Sequence, residues 1–340
     1  MRSRLRSSLV AGITMPQPLT PGEKRLQGRT IRIGTRGSAL ALAQAHEVRA
    51  LLMAAHAMPA SAFEIVVIKT SGDMILDRPL AEVGGKGLFT KEIEDALLGG
   101  DIALAVHSMK DMQTALPDGL MIGATLARED VRDAFISVKY GSLEALPQGA
   151  VVGTSSLRRQ AQVKRLRPDL EVVGFRGNVQ SRLRKLEDGV ADATFLACAG
   201  LRRLGLSERI TQAMATEHML PAVAQGAIGI EIRADDSKTA HLIAPLNDEA
   251  TAICVMAERA FLTKLEGSCR TPIAGLAQLS AGRLAFRGQL LSVDGSACLQ
   301  SGSEGWPREA LSLGVNAAED ILARGGAALN TTHVPLKTAG

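Results

Sequence analysis

The sequence predicts an α/β protein of two or three domains, and three observations support this prediction. The chain has 340 residues, which exceeds the size at which one hydrophobic core usually stops growing. Short apolar runs alternate with helical patterns in two successive series, which is typical of βαβ units. The remaining residues, from Asn247 onward, instead indicate a helix, β-like segments and a final helix, as in a small α+β domain.

The first series consists of IRIGT, a helix over 39–55, FEIVVI, a helix over 88–98 and DIALAV. Its alternation favours a largely parallel sheet. Because FEIVVI and IALAV are apolar throughout, we expect both to be central strands that are covered on both faces.

The second series consists of AFISV, AVVG, a basic helix over 156–167, LEVVGF, a helix over 178–187 and DATFLA. It predicts another domain of the same class. A connector bounded by proline and glycine, 221–229, then leads into IGIEI, a strand able to return the chain to the first sheet. The last part has a helix ending near Leu265, the β-like segments RLAFRGQLL and ACLQ, and a helix near 308–322.

Composition limits the function classes. Apolar residues make up 46% and charged residues 22%, and no apolar run approaches the ~18 residues of a membrane span, so we expect a soluble protein. Aromatic residues make up only 3%, which disfavours a binder of single-stranded nucleic acid, because such binders stack bases on aromatic rings. The first residues are rich in arginine and serine, and they fit either a transit peptide or an over-long start with Met15 as the initiator.

Positive charge concentrates between Val151 and Lys185. That stretch holds nine lysines and arginines against two acidic residues, which indicates either an anionic partner or a solvated helix face. Ser155 or Ser156 can cap the helix whose first turn contains Arg158 and Arg159. Cations there oppose the helix dipole, so we favour an anion at this position.

Three further segments place a basic residue at or near a turn. In GFRGNVQSR, Arg176 precedes a helix that Asn178 can cap, and Arg182 lies one turn inside it; guanidinium forks suit carboxylates. In IGTRGSALALAQA, Thr35, Arg36 and Ser38 lie at a strand-to-helix turn, where anions bind readily. VGGKGLF carries Lys86 without the spacing of a phosphate loop, so it is either a mobile lid or a plain turn.

The polar residues after DIALAV lie where open α/β sheets bind ligands, at the carboxyl end of a strand. They are His107, Ser108, Lys110 and Asp111. Lys110 can hold an anionic substrate while Asp111 accepts a proton or balances a cationic intermediate. The alternative is a loop salt bridge.

The four cysteines show no metal-binding spacing and fit reduced thiols in the cytoplasm. Cys198, Cys254 and Cys298 have apolar neighbours and are interpreted as small core residues. Cys269, in LEGSCRTPI, lies between Gly267 and Pro272, where the adjacent arginine can favour the thiolate. Taken alone, it also fits an incidental exposed thiol.

Ten segments carry a resemblance that runs in chain order from about Ile31 to Ala274 and more loosely to the end. They are TRGSALALAQA, KTSGD, GGKGLFTKEIE, VHSMKDMQT, EDVRDAF, VGTSSLRRQ, FRGNVQSRL, AGLRRLGL, LPAVAQGAIGIE and LEGSCRTPIAG. Together they closely resemble the porphobilinogen deaminase (hydroxymethylbilane synthase) family. VHSMKD, VGTSSLRRQ and LEGSC are highly specific in combination.

The resemblance implies a transferase of tetrapyrrole and haem biosynthesis. Such an enzyme joins four porphobilinogens head to tail with loss of ammonia and then releases hydroxymethylbilane. The primer it implies is a dipyrromethane cofactor in thioether linkage to Cys269. Asp111 matches the catalytic aspartate that handles pyrrole N–H groups, and we expect a buried carboxylate beside the cation formed as ammonia leaves. A cytoplasmic monomer with no nucleic-acid or membrane partner is expected.

The resemblance also implies binding roles for side chains that match the family's motifs, and it implies no metal. The positions expected to bind the cofactor are Ser108, Lys110, Thr154, Ser156, Arg158, Arg159 and Arg182. The positions expected to bind substrate are Arg36, Ser38, Lys86, Arg176, Arg203 and Gln225. Glu82 stands where some relatives carry a lysine, which puts an anion-binding role there in doubt; Ser268 and Ala224 replace common glycines, and we interpret both replacements as harmless.

The family architecture implies two domains of periplasmic-binding-protein type around a cleft and a small α+β domain. The expected division is a disordered leader over 1–29, domain one over 30–126 plus about 227–246, domain two over 127–226, and domain three over 247–340 with the cofactor cysteine. A non-catalytic anion-binding module or a regulator's effector domain shares this architecture, so fold alone does not separate them from the enzyme. A nucleic-acid binder is the third alternative.

Overall fold

The structure, a computed structural model, describes residues 30–74, 87–267, 271–329 and 337–338. The strands are β1 Ile31–Thr35, β2 Phe63–Val67, β3 Leu104–Ser108, β4 Leu120–Thr125, β5 Asp133–Ile136, β6 Val151–Gly153, β7 Glu171–Gly174, β8 Ala193–Ala197, β9 Gln212–Ala213, β10 Ile228–Arg233, β11 Ile273–Ser280, β12 Arg283–Leu291, β13 Cys298–Gly305 and β14 Lys337–Thr338. The helices are α1 Ala39–His56, α2 Ser71–Met74, α3 Lys91–Leu98, α4 Leu157–Leu166, α5 Val179–Glu187, α6 Cys198–Arg203, α7 Ser237–Ile243, α8 Glu249–Lys264, α9 Ala310–Ala323 and α10 Gly326–Leu329.

The first sheet has the order β2-β1-β3-β10-β4. β1 is parallel to β2 and β3, whereas β10 is antiparallel to β3 and β4. Ile230 in β10 pairs with Val106 in β3, so the chain returns to this sheet after it has passed through the second one. Helix α1 covers one face, where Val48 and Leu52 are fully buried against Ile33.

The second sheet has the order β14-β7-β6-β8-β5-β9, and the third has β11-β12-β13. In the second sheet β7, β6 and β8 are parallel, and β5 is antiparallel to both of its neighbours. The third sheet is an antiparallel meander that packs its apolar face on α8 and α9 around Phe261 and Phe286. The predicted α/β class with a small C-terminal α+β part is therefore confirmed.

The largely parallel character predicted for the first sheet is confirmed, because four of its five described strands share one direction and only β10 is reversed. One detail of the strand predictions was wrong. FEIVVI forms β2, which is an edge strand rather than a central one, and Val67 is 51% exposed. IALAV is correct, since β3 is central and nearly fully buried. A continuous apolar run therefore did not distinguish a central strand from an edge strand.

Two connectors join the first sheet to the second and lie side by side. The N–H of Glu129 in the outgoing connector donates to the carbonyl of Gly226 in the returning one at 3.3 Å. Gly226 has φ +90°, and a Cβ there would lie 2.4 Å from the Glu129 carbonyl oxygen. The close approach needs glycine, and it holds the two connectors against each other.

Candidate active site

The turn after β3 carries the first candidate residues. Met109–Asp111 form one 3₁₀ turn, closed by the Met112 N–H donating to the Met109 carbonyl at 3.2 Å. Met109 takes the inward position and is 2% exposed, because Gly229 on the adjacent strand leaves room for its thioether. The turn therefore presents the two following side chains, Lys110 and Asp111, away from the core of the first sheet.

Asp111 is exposed in this structure, so the expectation of a buried carboxylate was wrong. The inward position of the turn is occupied by Met109, and Asp111 lies on the opposite side. A carboxylate in contact with water has a weaker electrostatic effect than one enclosed by protein. Any desolvation of Asp111 must therefore come from bound ligand or from closure of the surrounding residues.

Lys110 lies beside Asp111 and is half-buried. Burial lowers the pKa of Lys110 to about 8, the negative charge of Asp111 opposes this shift, and the positive charge of Arg159 adds to it. Arg159 belongs to α4 in the second sheet's domain, so charges from two sheets act on one ammonium group. The lowered pKa shows that the loss of water contact around Lys110 outweighs the attraction of the Asp111 carboxylate.

Helix α4 supplies two buried arginines that share one carboxylate. Ser156 caps the helix by accepting from the Arg159 N–H at 3.4 Å. Arg158 Nη1 donates to Asp133 Oδ2 at 2.6 Å, and Arg159 donates to Asp133 Oδ1 from Nε at 3.0 Å and from Nη2 at 2.6 Å. All three side chains are at most 7% exposed. The two guanidinium groups hold the pKa of Asp133 well below its usual range, although burial acts in the opposite direction.

The prediction of an anion at this helix start is thus met in part by the chain's own Asp133. The carbonyls of Leu220 and Phe195 accept one further bond each, from Arg158 and Arg159. Two guanidinium charges against one carboxylate leave one positive charge in excess within this buried group. Whether that excess binds a ligand carboxylate stays a prediction.

Arg182 on α5 belongs to the same electrostatic group. Burial and the charge of Arg159 lower the pKa of Arg182 to about 10, and Asp111 opposes the shift. Asp111, Lys110, Arg159 and Arg182 are therefore close enough to act on one another across the two sheets. This brings together residues that are separated by 71 positions of sequence (182 minus 111).

Other predicted polar residues have defined structural partners. Ser38 caps α1 and accepts from the Ala41 N–H at 3.3 Å. Thr154 is buried, and its hydroxyl accepts from the Ser156 N–H at 3.2 Å. The Ser108 hydroxyl bonds to the side chain of Gln44. These contacts orient the hydroxyl groups, and they leave the proposed ligand roles untested.

The predicted substrate-binding residues differ in their contacts in this structure. Arg36 stacks over the Phe89 ring at 4.2 Å, and Arg176 is half-buried before α5. Arg203 is already paired with Glu47 at 3.1 Å, between α6 and α1. Gln225 is fully buried and donates to the Val131 carbonyl at 2.8 Å.

Several sequence predictions fall outside the described residues. They concern Cys269, Lys86, Glu82, Ser268 and the leader over 1–29. Of the other cysteines, Cys198 and Cys254 are buried as predicted, whereas Cys298 is half-buried. Burial raises the pKa of the Cys198 thiol to about 11, which makes it a poor nucleophile.

Sequence reasoning missed three residues that shape this region. Asp133 was quoted within EDVRDAF without a role, although its position at the start of β5 was a usable signal. Arg128 and Glu258 were not considered; the Glu258 carboxylate accepts from Arg128 Nη1 at 2.6 Å and Nη2 at 2.9 Å. Glu258 also accepts from the Ala224 N–H, so one buried carboxylate joins both connectors to α8.

The described residues contain neither a metal-binding cluster nor a membrane-spanning helix. Within the ranges that the structure describes, no group of three histidine, cysteine or acidic side chains is placed to hold a metal ion. No helix in the same part of the chain is long and apolar enough to cross a membrane.

Comparison with known proteins identifies the family. Residues 31–241 match the family described as porphobilinogen deaminase, dipyromethane cofactor binding domain, and residues 252–323 match its C-terminal domain. The porphobilinogen deaminase of Paracoccus denitrificans is 59% identical over 91% of this chain and 96% of its own length. That of Nitrobacter hamburgensis is 55% identical over 86% of this chain and 93% of its own length.

Solved structures give a weaker likeness. A periplasmic substrate-binding protein of an ABC transporter from Coxiella burnetii aligns with a TM-score of 0.41 at 13% identity, over 66% of this chain and 94% of its own. A periplasmic binding protein from Salmonella typhimurium aligns with a TM-score of 0.37 at 13% identity, over 66% of this chain and 94% of its own. These scores are too low to define the fold, which rests on the sheet topology. The two domain matches and the two relatives show that the chain belongs to the porphobilinogen deaminase family.

Proposed function

We propose that the protein is a hydroxymethylbilane synthase, which joins four porphobilinogen molecules with release of ammonia and then releases the linear tetrapyrrole. The observation that supports this most directly is the group of cations facing Asp111 from both sheets. Among the described residues this group contains four cationic side chains but only two carboxylates, Asp111 and Asp133, so it carries more positive than negative charge. A substrate with acetate and propionate arms would balance that excess.

The same residues fit a dipyrromethane cofactor, which also bears acetate and propionate groups. We assign Lys110, Arg158, Arg159 and Arg182 to its carboxylates, with Ser108, Thr154 and Ser156 as hydroxyl partners. Cys269 is the proposed attachment point, and when bound there the dipyrromethane supplies the primer to which the substrate is added. The arginines are suited to this role because their rigid forks bind carboxylates in two places.

Asp111 is the proposed catalytic residue. Its carboxylate follows a rigid turn whose inward residue is locked against β10, so its position is defined even though it is exposed. From there it can accept hydrogen bonds from pyrrole N–H groups and stabilise the cation that forms as ammonia leaves the substrate. Lys110 next to it can hold the carboxylate of the same substrate, which orients the reacting carbon.

Arg36, Ser38, Lys86, Arg176, Arg203 and Gln225 are the proposed substrate contacts. Arg36 and Arg176 lie before helix starts, where backbone N–H groups also favour anions. Arg203 and Gln225 hold Glu47 and Val131 in this structure, so a direct contact with substrate requires them to exchange partners. Before substrate binds, the two side chains hold the connectors, since Arg203 Nη2 also donates to the Gly226 carbonyl at 3.1 Å.

The proposal extends to organisation and location. We propose domain one over 30–126 and about 227–246, domain two over 127–226 and domain three over 247–340, after a leader over 1–29. The first two contain the first and second sheets, apart from β14, and the third contains the third sheet. A cytoplasmic monomer is proposed because reduced, buried cysteines fit that compartment.

The intact mass of the purified chain tests the proposal. The wild type should carry the added mass of one dipyrromethane, and Cys269→Ala should lose both that mass and the turnover of porphobilinogen. Cys298→Ala is the matched control, because Cys298 is a half-buried thiol outside the proposed site, and it should keep both. An unmodified wild type that does not consume porphobilinogen rejects the function.

A further inference from the structure

A cavity lies on the Met109 side of the Met109–Asp111 turn, which we call the catalytic turn. We call it the α8 cavity; it lies between β4, Met109 and the helices α8 and α9, and its volume is about 620 Å³. Its apolar wall consists of Met109, Ile122, Val255, Met256, Leu311 and Val315. This volume is within the range of small-molecule sites, about 300–1,000 Å³.

The charge of the α8 cavity is positive. Arg259 and Lys264 line it, and no acidic side chain does so among the described residues. Lys264 is balanced by Glu319 at 2.7 Å, with both side chains more than 40% exposed. Arg259 differs: it is half-buried, and no carboxylate of the described residues lies within ion-pair distance of it.

Among the described residues, the hydrogen-bond partners of Arg259 are main-chain carbonyls. Its Nη2 donates to the carbonyls of Gln113 at 2.6 Å and Thr114 at 3.1 Å. Burial lowers the pKa of Arg259, and the distant charge of Glu231 opposes this only in part. A half-buried guanidinium with neutral partners gains from an added anion, because carbonyl dipoles do not balance a full charge.

We propose that the α8 cavity binds a small monoanion with an apolar body, such as a medium-chain carboxylate, whose charge pairs with Arg259. The mouth of the cavity supports an apolar body, because Met256 is 50% and Leu311 60% exposed there. Large exposed apolar side chains around one opening are typical of a binding site, and the methionine thioether adapts to ligands of different shape.

The cavity contacts the catalytic turn at both of its ends. Met109, which lines the cavity, comes directly before Lys110 and Asp111, and Arg259 holds the carbonyls that follow at Gln113 and Thr114. A carboxylate that pairs with Arg259 neutralises the charge that strengthens its hydrogen bonds to those two carbonyls. Occupancy of the cavity therefore changes the position of the catalytic turn and alters the turnover of porphobilinogen. This coupling rests on the proposed function, whereas the binding itself does not.

Calorimetric titration of the holoenzyme with dodecanoate, below its micellar concentration, tests the site. We expect saturable binding of one molecule per chain. Arg259→Gln, which removes the charge, and Ala260→Phe, which fills the cavity from α8, should each weaken binding at least tenfold. Arg308→Gln is the matched control, because Arg308 lies at the Trp306 ring outside the cavity, and it should bind as the wild type does. Dodecyltrimethylammonium, with a similar chain and the opposite charge, should bind at least tenfold more weakly than dodecanoate.

Equal binding by all variants, or binding that does not saturate, means non-specific partitioning and overturns the proposal. If dilution of the protein without ligand produces heat, and this heat is absent in Ala260→Phe, then a second copy of the chain occupies the cavity. This result also overturns the proposal.

For the coupling, saturating dodecanoate should change kcat/KM for porphobilinogen at least threefold in the wild type and in Arg308→Gln, but not in Ala260→Phe. Binding without any change in kcat/KM rejects the coupling, and a chain that never consumes porphobilinogen rejects the proposed function while the binding result stands.

Discussion

Arg159 donates two hydrogen bonds to a single oxygen of Asp133, from Nε at 3.0 Å and from Nη2 at 2.6 Å. The same carboxylate also accepts from Arg158 and from Gln225 at 3.2 Å. One buried acid thus holds two side chains of α4 and one side chain of the returning connector. The proposed anion-binding surface therefore depends on a buried carboxylate that is not itself a proposed ligand contact.

Asp133→Asn should destabilise the fold by about 3–5 kcal/mol, because it leaves two buried guanidinium groups without their shared counter-charge. Chemical denaturation with the midpoint of unfolding as the readout measures this. Asp169→Asn is the control; Asp169 pairs with Arg167 at a half-exposed position, and its loss should lower stability far less, because water screens such a pair. Similar losses in both variants would contradict the special role of Asp133.

Asp111→Ala should lower kcat by roughly 10²–10⁴-fold and leave the fold intact, because the side chain is exposed and the turn is held by Met109. Steady-state turnover of porphobilinogen, together with a circular dichroism spectrum, measures both effects. Asp118→Ala removes an exposed carboxylate from the same segment and should keep full activity. A rate within a few-fold of the wild type in Asp111→Ala would show that the chemistry lies elsewhere.

Much of this arrangement followed from local patterns, and the failures have a common cause. The helix that begins after Ser156 was placed by its cap and its periodicity, which are properties of neighbouring residues. The edge position of β2 depends on which strands arrive later, and the exposure of Asp111 depends on the packing of Met109 against Gly229. The pairing of Asp133 with α4 joins segments about 25 positions apart. Such tertiary contacts leave no periodic signal in one sequence.

Lys110 should titrate near pH 8 in a protein that lacks the cofactor, such as Cys269→Ala, because its folded pKa is about 8 against an ordinary value of 10.5. Between those two pH values the unfolded chain holds a proton that the folded chain has released. The contribution of Lys110 to stability therefore rises with pH from about 8 to 10.5 and is least favourable below pH 8.

Nuclear magnetic resonance of ¹³C-labelled lysine side chains measures this pKa, and Lys110→Arg identifies the signal by removing it. In the wild type with its cofactor, the carboxylates near Lys110 should raise the pKa towards its ordinary value, because an adjacent negative charge favours the ammonium. The same pKa in both forms would exclude Lys110 from the binding of cofactor carboxylates.

The backbone conformation of Ala224 changes the interpretation of this residue. We treated its replacement of a common family glycine as harmless, but Ala224 has φ +58° and is fully buried. A side chain in the left-handed region costs roughly 1–2 kcal/mol, and the N–H of Ala224 is held in place by Glu258. Ala224→Gly should therefore stabilise the protein by about 0.5–1 kcal/mol.

The control is Ala227→Gly, at a buried position of the same connector without positive φ. This change should destabilise the protein by a similar amount. Thermal unfolding of the two variants side by side distinguishes relief of backbone strain from a general effect of glycine, since only strain predicts shifts of opposite sign.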